Sequence, residues 1–506
     1  MKSSPKSGLG AGKRRKETPL ELASAVFIFI ILVLFPLLPG TQGYVNLTET
    51  KYILFKVFTL LYLGVCLLLF VRLLFLRRDS RSLSARFDWK KPDLPQLLLT
   101  AYALWGVVCA IVSPYSGLWE GQSRYEGVLS LLLYAAIFLL LSFLGEYRSW
   151  YSDAITVMSL IFVGISLLQL LGVPLIYPDG YNYANSGFIS TIGNVDCVSG
   201  LIAILFPFLA GVYVIAEGKK RSRISMLIAA ALLLFVGLKI NVESGKFGIL
   251  AAFLAVFPFM LTERRRRVRV MFLLSGSLAA FGLHKLIAAM SPLRFRLSFV
   301  GLAALVLAAA LLLLGRLCAK RKAESKLAPR SILLIGFGAE LALLIVGVIF
   351  VFCYGGTNVT LQEFHDLLHG SLGDYVGNNR GFVWKACWEL GKTSPIFGCG
   401  PGAFSEAFSP YNRVDVVHVV FDFAHNDYLQ ILVCTGFVGL ALYCAFLISV
   451  FVRAYRRILQ NPLLIALLSA SVGFLAHVFF SFSIAILSPI FWVIMGMLNA
   501  ELSTKH

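Results

Sequence analysis

The chain has 506 residues, of which 58% are apolar and only 14% charged, and its formal net charge is +19. Soluble domains average about 45–50% apolar and about 25% charged residues, so this composition excludes a water-soluble globule, a disordered chain and a disulfide-stapled scaffold. It points to an all-α polytopic membrane protein, in which lipid replaces water as the solvent of the apolar side chains.

The first 19 residues are basic and rich in Gly and Ser, and read as a cytoplasmic tail. The apolar run Leu20 to Pro39 is longer than a signal-peptide core and lacks a small-residue cleavage site, so it reads as the first span. Runs of about 17–25 apolar residues predict about 14 transmembrane helices (12–14). They lie at 20–39, 52–76, 95–113, 127–145, 154–173, 197–216, 224–240, 246–262, 270–289, 297–315, 331–353, 428–452, 462–480 and 485–500. The weakest is 270–289, which Gly276, Gly282, His284 and Lys285 interrupt. The last two form a tight hairpin across Phe482 to Ala485. The organisation is thus a tail (1–19), N-terminal transmembrane helices (20–353), a large extracytoplasmic loop (354–427) and C-terminal transmembrane helices (428–506).

Charge fixes the orientation. With the N-terminus inside, the basic stretches 13–16, 77–91, 219–223, 264–269, 316–330 and 453–457 all face the cytoplasm, and they hold most of the 45 Lys and Arg. RRRR at 264–267 is therefore a cytoplasmic anchor that also suits anionic lipid, rather than a nucleic-acid patch. No GxxxxGK[ST] phosphate loop and no internal repeat occurs, which argues against ATP-driven work and against a transporter of inverted halves. The nine Cys contain no CxxC and offer no zinc site; Cys387 and Cys399 share the large loop and are free to pair or not. Asn46-Leu-Thr48 matches a glycosylation sequon and carries no weight alone.

Ionisable groups near the outer face are costly and mark candidate sites. Arg124, in Gly-Gln-Ser-Arg-Tyr-Glu-Gly, either anchors at the interface, pairs with Glu120 or Glu126, or meets an anionic ligand. Lys246 opens the eighth span, where a helix N-terminus and a cation together attract anions, unless Glu243 neutralises it. Arg380 follows Asn379, a good N-cap, and begins an amphipathic helix with an apolar stripe of Phe382, Trp384, Cys387 and Trp388 and a cap at Gly391. A cation in a first turn opposes the helix dipole and calls for an anion, either Asp374 or a bound phosphate. The stretch from Thr393 to Phe404 is glycine-rich, which lets backbone amides approach a ligand. His425, where the loop re-enters the membrane, is the His best placed to take a proton from a hydroxyl, and neighbouring cations should keep its ring neutral. Thr360 and Glu363 form a capping box for a short helix carrying His365 and His369 on one face; with Asp366 this is weak support for a metal, and no metal site is assigned. His477 reads as a buried, hydrogen-bonded residue.

In order along the chain, Arg380-x3-Trp384, then Pro395-x2-Gly398-x-Gly400-x-Gly402-x-Phe404, then His425-Asn426-x-Tyr428-Leu429, with Gly436 and Gly439 after it, resemble the O-antigen ligase and polymerase superfamily. Asn194 resembles an Asn of the same family, and the resemblance covers about residues 190–255 and 376–445. It implies a GT-C type membrane enzyme that moves a glycan from a polyprenyl pyrophosphate carrier to an acceptor on the outer face, without cofactor, metal or nucleic acid. His425 would be the base, Arg124 and Arg380 would hold the pyrophosphate, and Asn194, Trp384, Gly400, Gly402, Asn426 and Tyr428 would support the site. Lys246 stands where the family often has Arg, keeping the charge but losing the bidentate fork. Inner-membrane localisation, with both termini cytoplasmic and the active site outside, follows. The acceptor is a lipid or protein for a ligase and another growing glycan for a polymerase. A flippase of lipid-linked glycan is the alternative of another class. A metal-dependent transferase is disfavoured, because the first outer loop, Gly40 to Lys51, has Glu49 alone.

Overall fold

The computed structural model describes residues 17–40, 43–76, 92–122, 124–173, 175–176, 188–217, 219–321, 327–371, 373–374, 376–412 and 420–503. Most of the basic tail, the basic stretch 77–91 and part of 316–330 lie outside the described residues. The described chain is helical almost throughout, and a helix occupies each of the predicted runs. In chain order these are α1 (Pro19–Leu37, with a π-helical turn at Ile30–Leu34), α2 (Leu47–Leu76), α3 (Leu94–Val112), α4 (Val128–Leu144), α5 (Ser149–Leu170), α6 (Val195–Ile215) and α7 (Lys220–Ile240). They continue with α8 (Glu243–Met260), α9 (Arg264–Leu286), α10 (Phe299–Lys320) and α11 (Pro329–Phe352). Three loop helices follow, α12 (Val359–Leu368), α13 (Val376–Thr393) and α14 (Phe404–Phe408), and then α15 (Asp427–Arg457), α16 (Leu463–Phe479) and α17 (Ser488–Ser503).

Ten of the described helices are long and apolar enough to cross a membrane; α4 and α16 are shorter apolar helices. The interrupted run 270–289 is not among the ten, because polar groups dilute α9 at both ends. Two short antiparallel hairpins were not legible in the apolar pattern. β1 (Phe188–Ile189) pairs with β2 (Gly193–Asn194), and β3 (Ile287–Met290) with β4 (Leu293–Phe295).

Burial sorts the helices. α6 is apolar on every face and almost wholly buried, packed against α7, α8 and α16, as an all-round hydrophobic helix must be. α16 and α17 are nearly as enclosed. α11 is the opposite case, with no buried residue. Contacts between the innermost helices are close enough to exclude a side chain: a Cβ on Gly473 would meet the Ala203 carbonyl at 2.1 Å, and one on Gly211 would meet Ala466 Cα at 2.6 Å. Such small-residue seams replace hydrophobic driving force with dispersion contact in lipid.

α15 is broken at Gly436 (φ 68°, ψ −176°), a conformation that only glycine adopts readily. The break frees backbone groups that lipid cannot satisfy. The glycine-rich loop takes up three of them. Cys399 N donates to Val433 O at 2.8 Å, Gly400 N to Cys434 O at 2.9 Å, and Phe437 N to Pro395 O at 2.7 Å. Trp105 Nε1 donates to a third carbonyl, Thr435 O, at 2.9 Å. A Cβ on Gly398 would lie 2.5 Å from Val433 O, and one on Gly402 2.6 Å from Gly121 Cα. Gly400 and Gly402 (φ 97° and 84°) thus serve close packing, and the Cys399 and Gly400 amides are already spent on α15 instead of facing a ligand.

Candidate active site

The loop that carries Arg380 differs from its sequence reading at both ends. Gly377, Asn378 and Asn379 are all left-handed, so Asn379 (φ 69°) is not in the extended conformation of an N-cap. The helix runs on to Thr393, and Gly391 is a buried packing position, where a Cβ would meet Leu432 at 3.1 Å, instead of a cap. Its buried face is Gly381, Val383, Ala386 and Cys387, which packs on α15; Trp388 is exposed. Cys387 and Cys399 are both buried and free. Asn358, accepting from Leu361 N at 3.1 Å, caps α12 in place of Thr360. His365 and His369 share a face, their rings stacked at 4.1 Å. Among the described residues no three His, Cys, Asp or Glu gather as a metal set.

Asp374 does not partner Arg380; it takes Lys385 Nζ at 2.8 Å. Arg380 donates through Nη1 to Gly377 O at 3.1 Å, and its buried Nε has no partner. Burial holds this guanidinium below its ordinary pKa, with Asp196 and Glu363 opposing. It is therefore a desolvated cation with unused donors.

Arg124 also departs from the expected pairings. Glu120 pairs with Lys56 at 2.6 Å, and Glu126 accepts from the Tyr134 hydroxyl. Arg124 instead forks onto Asp422, Nε to Oδ2 at 2.8 Å and Nη2 to Oδ1 at 3.0 Å. Burial disfavours both charges, but the bidentate contact outweighs it, raising the Arg124 pKa and lowering that of Asp422. The guanidinium lies 4.9 Å from the centre of the Phe482 ring. His425 meets the same ring edge-on at 5.4 Å, and Phe421 at 6.0 Å.

His425 sits at the end of the loop with a positive φ of 49°, a placement that costs of order 1–3 kcal/mol in a non-glycine residue and is held by its surroundings. Asn426 caps α15 beside it, accepting from Leu429 N at 3.0 Å. The ring has no hydrogen-bond partner among the described residues. Burial, then the charges of Arg380 and Arg124, push its pKa down to about 4, with Asp422 opposing. It is neutral at pH 7 and free to accept a proton.

The structure therefore brings Arg124, Arg380 and His425 into one electrostatic neighbourhood, with Asp422 and Asp196 as its acids. Asn194 stands at its edge as the N-cap of α6, accepting from Asp196 N at 2.7 Å. Lys246 does not join it. Its Nζ is held by Asn241 and Glu243, each at 2.8 Å, as the neutralised alternative anticipated. Asp422 and Phe482 were missed in the sequence. Each is 3 residues or more from a motif position or distant in the chain, and only the fold shows that both touch Arg124. Trp384 packs on Phe479 and Phe480 at 5.9 and 6.1 Å. Those two rings and Tyr428 line an apolar cavity of about 540 Å³ between α8, α15 and α16. A second cavity, more polar and about 100 Å³, is lined by Phe423, Asp427 and Ser483. Arg124, Arg380 and His425 line neither.

A family model described as O-antigen ligase matches residues 293–444, less than a third of the chain. The match supports the O-antigen ligase superfamily. It runs from β4 into α15 and contains Arg380, Asp422 and His425; Arg124, Asn194 and Lys246 lie outside it. No curated protein matches the chain. The match supports glycosyl transfer of the O-antigen ligase or polymerase type by a multi-pass inner-membrane protein, with a lipid-linked glycan donor and a glycan acceptor in general terms.

Proposed function

We propose that the chain transfers a glycan from a polyprenyl pyrophosphate carrier to an acceptor hydroxyl, with His425 as general base and inversion at the anomeric carbon. The observation that carries this reading is a neutral imidazole, without a hydrogen-bond partner among the described residues, within the field of two half-buried guanidiniums. The acceptor oxygen attacks the anomeric carbon, the bond to the diphosphate breaks with its electron pair leaving on the diphosphate, and the hydroxyl proton passes to His425. Arg380, with unused donors, receives diphosphate oxygens; Arg124, oriented by Asp422, adds to the positive field. The apolar cavity behind Trp384 suits the first isoprene units of the carrier.

A base with a pKa of about 4 is weak at pH 7. The donor corrects this. Burial is the larger cause of the depressed ring, and a bound diphosphate offsets the two Arg charges that add to it, so the base gains strength when the leaving group is in place. Purified protein with lipid-linked donor and acceptor in detergent tests the reading, since a detergent micelle has no compartments to transport between. Transfer that is lost in His425→Ala is expected; no transfer, or transfer undiminished in that variant, overturns it.

A further inference from the structure

The first turns of α9 close the ends of three neighbouring helices. Arg264 Nη2 donates to Cys318 O of α10 at 2.7 Å, Arg267 Nη1 to Leu261 O just beyond α8 at 2.8 Å, and Arg269 Nη1 to Val214 O of α6 at 2.8 Å. A guanidinium so placed satisfies carbonyls at a helix end and suits the negative pole of the helix dipole. Arg266 pairs with Glu263 at 2.6 Å. Much of the basic run is thus engaged within the protein, and an outside anion must be held by the donors that these bonds leave over.

Two such donors lie where α6, α7 and α9 pack on one another. Arg269 is 6% exposed, and its Nη2 is buried without a partner among the described residues. Arg223, in the first turn of α7, has its Nε buried and equally unpartnered. The charges of Arg265 and Arg223 both act on Arg269, and Glu217 is the acid that opposes them. Glu217 reaches Arg265 only at 3.8 Å, both side chains being more than half exposed. Three guanidiniums therefore share one loosely held carboxylate. A buried donor without an acceptor is costly, and the like charges repel. A phosphate relieves both, since its oxygens accept from converging guanidinium forks and its charge offsets theirs. The place is at the ends of the spans α6 and α7, on the side that the basic stretches assign to the cytoplasm, where anionic headgroups reach.

We infer that Arg223 and Arg269 bind the phosphate of an anionic phospholipid where α6, α7 and α9 meet, with Arg265 at the mouth of the site. Binding stands independently of the reaction proposed above, and its test uses no glycan. The delipidated full chain in detergent is titrated with phosphatidylglycerol, phosphatidylcholine or inorganic phosphate at constant ionic strength. Native mass spectrometry counts the bound lipid, and thermal unfolding reads the stabilisation. Phosphatidylglycerol is expected to bind and to raise the midpoint by roughly 1–3 °C over phosphatidylcholine. Arg223→Gln should weaken that binding about tenfold or more. Arg269→Lys keeps the charge but loses the second nitrogen donor, and should weaken it too. Arg221→Gln, which removes the same charge from an exposed position two residues from Arg223, should leave binding unchanged. A response to inorganic phosphate alone supports the phosphate site and overturns the lipid as its source. Equal behaviour of the two lipids with no response to phosphate, or equal losses in Arg221→Gln and Arg223→Gln, overturns the site.

Discussion

Gly436→Ala tests whether the break in α15 is built into the fold. At φ 68° and ψ −176° an alanine costs about 1–3 kcal/mol in backbone energy. Its Cβ would stand 2.1 Å from Ile396 O and 2.6 Å from Pro395 O, both backbone atoms that no rotamer change can clear. Overpacking of this kind adds about 1–3 kcal/mol, and the stiffer unfolded chain returns about 0.4–1 kcal/mol, leaving a loss of about 1–5 kcal/mol. Gly338→Ala in α11 is the control, since nothing lies within 4 Å of its Cβ and helix propensity favours the alanine by about 0.5–1 kcal/mol. Denaturation in mixed micelles, followed by tryptophan fluorescence, compares the two. Trp105, bonded to Thr435 O beside the break, reports the site directly. If Gly436→Ala proves no less stable than Gly338→Ala, the exchange of hydrogen bonds between loop and helix is not what holds this region.

His425→Ala should reduce transfer by about 10²–10⁴-fold while donor affinity, read by isotope-labelled carrier binding, is retained. The acid limb of kcat/KM, which reports the free protein, should fall near pH 4, since activity requires the neutral ring and is lost as pH drops through its pKa. The limb of kcat should lie higher, because bound diphosphate favours the imidazolium. Arg380→Gln should move the kcat/KM limb up toward the ordinary histidine value and weaken donor binding, since it removes a cation that depresses the ring. Lys246→Ala should change transfer by less than about threefold, as its charge is already paired with Glu243 at a partly exposed position; a loss as large as that of Arg380→Gln would return Lys246 to the site.

The spans were legible because each needs a long apolar run and lipid tolerates little else; the ninth run was the weakest because Lys285 and the glycines interrupt it, and its helix is not among the ten apolar enough to cross. The order of motif residues was legible too. What stayed hidden depends on partners far along the chain. Arg124 sits beside Glu120 and Glu126 in sequence, yet its carboxylate is Asp422. Local rules gave Asn379 as a cap, but three successive left-handed residues reset the start of that helix. The glycine motif was seen for its spacing and misread in its purpose, because close approach to a ligand and close approach to a broken helix leave the same mark in a sequence.

The bare helix α11 has its own consequence. With no buried residue, Pro329–Phe352 touches protein only along a narrow edge, Phe337 against Phe259 and Phe352 against His369, and turns the rest of its surface to the bilayer. At 1.5 Å per residue it is about 36 Å long, beyond the roughly 30 Å of a hydrocarbon core, so it must lean or stretch the lipid around it. Exchanging one aliphatic side chain for another along its lipid-facing side should therefore go unnoticed by the fold, while shortening the segment by a turn would pull on the large loop to which its far end is joined.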